Sequence, residues 1–380
     1  MSAVSLRPVT SAADRKRFVD LVWDVYRDDP HWVPPLKGEM LDLITPGKNP
    51  WFEHAEAAFW LAERGGRAVG RISAQVDALV LEHMGPGTGQ WGMLEVFDGE
   101  EEAGPQLIAA AEEWLRTRGM TRALGPFSLS IWDEPGLLIE GFEQPPTVMM
   151  GHHRPAARAL VEGAGYAKAK DLQTFELDVT VDMEPLIQRI MAAGRRNPRL
   201  NLRAVNKSRF DEEARIILNL LNDAWSANWG FIPLTESEIA YAGKKLKPVI
   251  YEDLVTICEL DGQPAGFMIT MPDINELTRD LDGRLFPLGW AKLLWRLRKP
   301  RVERMRVPLM GVASHLHGSR LASQIAFLMM EKCRLASVHN YGATRAEFGW
   351  VLEDNQGMLS IAELRSSNLN KIYRIYEKAL

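Results

Sequence analysis

The chain has 380 residues, 46% of them apolar and 25% charged, with a net charge of −5. A single core seldom grows past ~250–300 residues, so two domains are expected, and the acidic balance excludes broad, non-specific attraction to nucleic acid. Two cysteines, Cys258 and Cys333, are too few for a disulfide framework and share no metal-ligand spacing with histidine. No apolar run reaches the ~20 residues that span a bilayer. The N-terminus, MSAVSLRPVTSAADRKRF, has no continuous apolar stretch of the kind a secretory signal needs, so the expectation is a cytoplasmic protein without a metal.

In chain order, Val4 to Val9 reads as a strand, and Thr10-Ser11 caps a helix running to about Tyr26. Runs 57–63 and 68–77 flank Arg64-Gly65-Gly66-Arg67 as a hairpin. A strand near 92–97, an amphipathic helix 105–118, a strand 122–127, a helix 155–162 and a strand 168–178 come next. The second half repeats the order: strand 202–205, helices 210–225 and 236–246, and a hairpin 254–271 turning at Asp261-Gly262. Then come strand 307–313, helix 319–338, strand 343–352, a short helix after Asn355 and a closing strand 371–377. An α/β fold in two repeated halves is predicted, residues 1–180 and 201–380, joined by a helix within 181–200.

The junction from Val307 to Ala322 is an apolar strand passing through a short polar turn into an apolar helix. Such a turn offers unpaired amides at a helix N-terminus, which hold a pyrophosphate. Here the sequence resembles the GNAT superfamily, whose acyl-CoA loop reads Q/R-x-x-G-x-G/A; the match is His315-Leu-His317-Gly318-Ser319-Arg320. His315 stands for the usual Gln or Arg, and Arg320 for the last small residue. An ordinary βα turn explains the same six residues. By the resemblance, Val312, His317, Gly318, Ser319, Arg320, Leu321, Ala322 and Asn355 hold acyl-CoA. In the first half the matching turn carries Glu100, Glu101 and Glu102, which repel a phosphate, so no CoA is expected there.

The strand Ala346 to Leu352 resembles the fifth GNAT strand, which splays from the fourth to admit the thioester. Glu347, with His315, is the candidate for catalysis, Glu347 as general base; a structural partner of Arg345 or Arg306 is the competing role. The superfamily's Tyr, seven residues after such an Asn, is Ala362 here, which leaves the general acid unassigned. Asn222, Trp225, Asn228, Trp229 and Phe231 alternate polar and aromatic groups, as an acceptor with a polar head and an apolar chain requires, with core packing as the alternative. Asp273 and Trp350 are expected in the same cleft. Residues 285–301 mix Leu, Phe and Trp with Lys and Arg, the pattern of a helix lying on anionic lipid or simply docked on its domain. Residues 125–153 form a Gly- and Pro-rich stretch whose Asp133, Glu134, His152 and His153 could bind an amine or be structural.

Four segments, Asn49-Pro50-Trp51-Phe52, Gly125 to Pro146, Asn222 to Pro233 and Met310 to Met358, resemble long bacterial GNAT-like acyltransferases, a group that includes the bacterial ceramide synthases. The resemblance implies tandem GNAT-like halves, acyl-CoA as co-substrate, a sphingoid-type amine as acceptor and peripheral contact with the inner membrane face. An N-acetyltransferase of small molecules or peptides, and a non-catalytic GNAT-like scaffold, are the other readings.

Overall fold

The computed structural model describes residues 2–380. The chain opens with β1 (Val4–Pro8), α1 (Ala12–Val25), α2 (Lys37–Leu43), β2 (Ala55–Arg64), β3 (Arg67–Asp77) and α3 (Ala78–His83). It continues through β4 (Thr88–Val96), α4 (Ala103–Arg116), β5 (Arg122–Gly125), β6 (Leu137–Glu140), α5 (Ala156–Gly163) and β7 (Ala167–Asp178). Next are α6 (Pro185–Arg195), β8 (Leu200–Ala204), α7 (Phe210–Trp225), α8 (Glu236–Leu246), β9 (Val255–Leu260), β10 (Gln263–Pro272) and α9 (Ile274–Thr278). The chain ends with α10 (Gly289–Arg298), β11 (Arg304–Val312), α11 (Arg320–Ala336), β12 (Arg345–Leu352), α12 (Gln356–Leu364) and β13 (Asn368–Ala379).

Local chemistry sets these boundaries. Ser11 and Asp14 form a capping box that starts α1, and Thr235 with Glu238 does the same for α8. The β9/β10 hairpin turns through Asp261 and Gly262, both at positive φ (53° and 78°), the geometry that matches strand twist.

Two compact units result. The first holds the chain up to Leu172, together with Thr278–Phe286 and Lys371–Leu380; the second holds Gln173–Leu277 and Pro287–Asn370. In the first, the strand order is β1-β2-β3-β4-β5-β13. Strand alternation divides its core: Phe59 and Leu61 join Phe18 and Val22 of α1, while Ala62 and Ile72 join Leu107 and Leu115 of α4 on the opposite face. Each such buried Leu, Ile or Phe contributes ~1.5–3 kcal/mol of transfer free energy. In the second unit the order from residues 173–178 of β7 is β7-β12-β11-β10-β9-β8.

Two glycines show how tightly the second sheet is sandwiched. A Cβ on Gly266 would come within 2.6 Å of Ile325 on α11, and one on Gly311 within 3.0 Å of Ala224 on α7. Gly311 pairs with Phe267, the residue after Gly266, so α7 and α11 cover opposite faces. Among the described residues no helix is long and apolar enough to cross a membrane.

Candidate active site

The sheet of the second unit opens between two of its strands. β11 and β12 run parallel and pair from Arg304↔Arg345 to Val307↔Phe348, and no farther, although β11 continues to Val312 and β12 to Leu352. Pro308 comes directly after the last pair; it has no N–H to donate and lies where β11 carries one extra residue against β10, between Arg306 and Leu309. The two strands therefore part.

A cavity of about 90 Å³ occupies the opening. Val307, Pro308, Met310, Phe348 and Gly349 wall it at the level of the sheet. Trp225, Asn228 and Trp350 close it toward α7, while Met330, Cys333 and Arg334 of α11, Ser337 just after it, and Met358, Ile361 and Arg365 on and just after α12 line it on the other side. Among the described residues the lining is apolar with a few amide, hydroxyl and guanidinium groups, and it contains no carboxylate and no imidazole.

Several polar residues around the cavity have defined partners. Trp225 donates its indole N–H to the Met310 carbonyl at 3.1 Å, and its ring lies 6.1 Å from that of Trp350. The Asn355 Oδ1 accepts the Met358 amide at 3.1 Å, capping α12. Arg365 pairs with Glu184 at 2.8 Å, and Arg334 donates to the Val179 carbonyl at 2.8 Å. Burial holds the Cys333 thiol above its ordinary range, so it stays a thiol near neutrality.

At the end of β11 the loop into α11 is also fixed. Ser314 donates through its amide and hydroxyl to Asp223, each at 2.7 Å, and these bonds hold the Asp223 carboxyl below the usual carboxylate range. His317 Nε2 lies 2.7 Å from the Val312 carbonyl, which accepts its N–H. Gly318 takes φ 72°, a left-handed conformation that favours glycine. Ser319 caps the helix by accepting the Ala322 amide at 3.1 Å, and the Ser319 amide itself donates to Leu316. Among the described residues the amides of Gly318, Arg320 and Leu321 have no internal acceptor, and they lie at the positive end of a 17-residue helix, beside an exposed Arg320.

The expected site residues thus separate. Trp225, Asn228, Trp350 and Asn355 meet at the cavity; His315, His317, Gly318 and Arg320 lie exposed on the loop; Asn222, Trp229 and Phe231 are outside the lining. Asp273 is buried, accepts the Asn275 amide at 3.2 Å and faces Arg304 at 3.6 Å, a role at the end of β10 rather than in the cavity. Glu347 is fully buried and also off the cavity wall. It is in register with Arg306, whose Nη1 is 3.3 Å away, and accepts from Asn370. Cys333, Arg334, Ser337 and Arg365 were not anticipated; their signal was helical spacing alone, which reads equally as core.

The first unit has the same break in a different state. β4 pairs in parallel with β5 from Thr88↔Arg122 to Gln90↔Leu124 and then leaves it, again beside a one-residue bulge, where Met93 has φ 51°. The chain after β5 fills the opening. Phe127 and Leu129 are fully buried, and Phe127 N–H donates to the Trp91 carbonyl at 2.9 Å. A Cβ on Gly92 would lie 1.8 Å from the Phe127 carbonyl oxygen.

Beyond that plug is a buried polar cluster. Tyr26 donates to Glu95 at 2.7 Å, and burial pushes the Glu95 carboxyl up to about 7 against the pull of Arg71. His152 meets Asp29 at 2.9 Å; burial pushes the imidazole of His153 down to about 3, and its Nδ1 accepts the Leu138 amide at 3.1 Å. Asp133 accepts from Ser130 at 2.8 Å, and burial raises the Glu134 carboxyl. Of the acidic turn, Glu100 and Glu102 both pair with Arg64.

The chain is 45% identical over 378 residues to a protein of Caulobacter vibrioides (strain NA1000 / CB15N) named bacterial ceramide synthase, covering 99% of this chain and 98% of that one. It is 39% identical over 376 residues to protein YghO of Escherichia coli (strain K12), covering 99% and 95%. No family model matches. Among solved structures, a tandem GNAT protein from the clavulanic acid biosynthesis pathway is similar with a TM-score of 0.58 at 16% identity, covering 99% of this chain and 98% of that one. A GCN5-related N-acetyltransferase from Sphaerobacter thermophilus gives 0.54 at 12% identity, covering 99% and 95%. These likenesses establish the fold as tandem GNAT.

Proposed function

Because the chain belongs to the family of the bacterial ceramide synthase, we propose that it moves a long-chain acyl group from acyl-CoA to the amine of a sphingoid-type lipid, at the cytoplasmic face of a membrane. The coarser statement needs no proposal: the protein is an acyl-CoA-dependent N-acyltransferase of GNAT fold. The observation that carries the finer reading is the apolar cavity through the β11/β12 opening, reached by helices on both faces of the sheet. Acyl-CoA supplies an activated acyl thioester. On this reading the amides of Gly318, Arg320 and Leu321, with the side chains of Arg320 and His315, hold its phosphates. Trp225, Asn228 and Trp350 receive the acceptor, aromatic faces against its chain and the amide toward its head.

The proton of the attacking amine has no carboxylate to go to among the described residues of the cavity wall, so the acceptor reacts as the neutral amine and water takes the proton. Glu347 acts instead as the buried counter-ion of Arg306, holding β11 and β12 together just before they part. Calorimetric titration with acetyl-CoA and palmitoyl-CoA, and mass spectrometry of the amide formed from palmitoyl-CoA and sphinganine, test the reading. Palmitoyl-CoA is expected to bind the tighter and to yield the amide. Equal affinity for both thioesters, or amide formation only with short, water-soluble amines, rejects it. Glu347→Gln is expected to retain kcat; a fall of ~100-fold with the fold intact makes Glu347 the base.

A further inference from the structure

Helix α10 is apolar on two sides. Leu293 and Leu297 pack inward on the cluster of Val179, Leu254, Met305 and Ala346. The helix is fastened there: Tyr251 donates to the Leu297 carbonyl at 2.7 Å, and Arg296 to that of Leu277. On the outer side Trp290, Leu294 and Trp295 are 46%, 54% and 75% exposed, and Leu288 just before the helix is 73% exposed. Soluble surfaces rarely keep such large apolar groups together unless something covers them.

Charge identifies what covers them. From Pro287 to Arg301 the chain carries Lys292, Arg296, Arg298, Lys299 and Arg301 and no Asp or Glu, although the protein as a whole has a net charge of −5. Tryptophan with Lys and Arg beside an apolar stripe is the composition that suits the headgroup boundary of an anionic bilayer. A second copy of the chain fits worse. A symmetric pair would bring two such basic patches together, and a ten-residue helix, ~15 Å long, offers far less than the ~1,200 Å² of a stable interface.

We propose that the outer face of α10 seats the protein on an anionic membrane, with Trp290, Leu294 and Trp295 at the headgroup boundary and Arg298, Lys299 and Arg301 against lipid phosphates. The purpose of this contact rests on the proposed lipid substrates, which enter from that surface. The geometry links the two, because Val179 and Ala346 belong both to the cluster beneath α10 and to the cavity wall.

Sedimentation of the full-length protein with vesicles, without acyl-CoA or acceptor, tests the contact separately from catalysis. The vesicles are phosphatidylcholine alone or with added phosphatidylglycerol. Binding is expected to the anionic vesicles and to weaken with salt. At roughly fivefold per basic residue, Arg298→Ala with Lys299→Ala is expected to lower partitioning about 25-fold. Trp295→Ser is expected to lower it without changing the melting temperature, since the side chain is exposed. Equal partitioning into neutral and anionic vesicles, or no response to either variant, overturns the proposal. So does a dimer, seen by light scattering, that dissociates with Trp295→Ser, since it gives the face to a second copy. Acyl transfer with detergent-dispersed substrates is measured in parallel, so failure to bind vesicles with turnover intact rejects the membrane face and leaves the acyltransferase reading standing.

Discussion

In each unit a strand with a one-residue bulge runs beside a parallel neighbour for three or four residues and then leaves it. In the first unit the chain turns back after β5 and fills the space with Phe127 and Leu129. In the second, β12 continues outward and the space stays open. The same backbone device is therefore a piece of core in one unit and an open cavity in the other, and the path of the chain beyond the second strand decides which. The helix entry differs likewise: three glutamates precede α4, whereas Ser319 and Arg320 open α11 with amides to spare.

The comparison is open to experiment, from large effects to small. Removing the plug with Phe127→Ala is expected to cost ~3–5 kcal/mol of stability, measured by denaturant unfolding, without changing palmitoyl-CoA affinity. An affinity gain would show that the first unit still has a latent site. The second effect concerns the cluster behind that plug. The Glu95 carboxyl titrates near 7 when folded, against 4.5 ordinarily. Its protonated form is the one the fold favours, so this contribution is full below 4.5 and is lost as pH rises through about 7. Stability should fall across that window, and Glu95→Gln should flatten the profile by an amount on the order of 3 kcal/mol. An unchanged slope in thermal melts against pH would place the titration elsewhere.

Plugging the open unit is the converse. Met358→Trp, on the cavity wall, is expected to reduce kcat/KM with palmitoyl-CoA about 100-fold, or about 2.7 kcal/mol, with a small change in melting temperature. Wild-type turnover would mean that the thioester does not use the opening. The smallest effect is at the loop: Arg320→Glu is expected to raise KM for acyl-CoA about tenfold and leave kcat in place. An unaltered KM would take Arg320 out of phosphate binding.

Elements marked by local chemistry were legible in the sequence: the Gly65-Gly66 and Asp261-Gly262 hairpins, and the helix over 236–246 that begins after Thr235. The four-residue β6 was not, because it lies within a Gly- and Pro-rich stretch and owes its existence to pairing with β13, more than 230 positions away. The cavity lining was legible where side-chain type is unusual, at Trp225, Asn228, Trp350 and Asn355. It was illegible where meaning depends on register. The sequence offered Arg345 and Arg306 alike as partners of Glu347, and only the register of β11 and β12 selects Arg306; nothing local reveals that Ser337 and Arg365 face a cavity and not a core.

β13 also has a temporal consequence. Residues Lys371–Leu380 belong to the first unit, where Arg122 pairs with Ala379 and its side chain meets Glu377, 255 positions along the chain. A ribosome making this protein therefore releases the first unit unfinished, with one edge of β5 bare, and must complete the whole second unit before the missing strand exists. Contacts so distant form late, and an uncovered strand edge invites wrong partners meanwhile. Synthesis thus imposes an order in which the unit that carries the cavity is complete before the first unit can close, and loss of residues 376–379 would be felt first at β5, some 250 positions earlier in the chain.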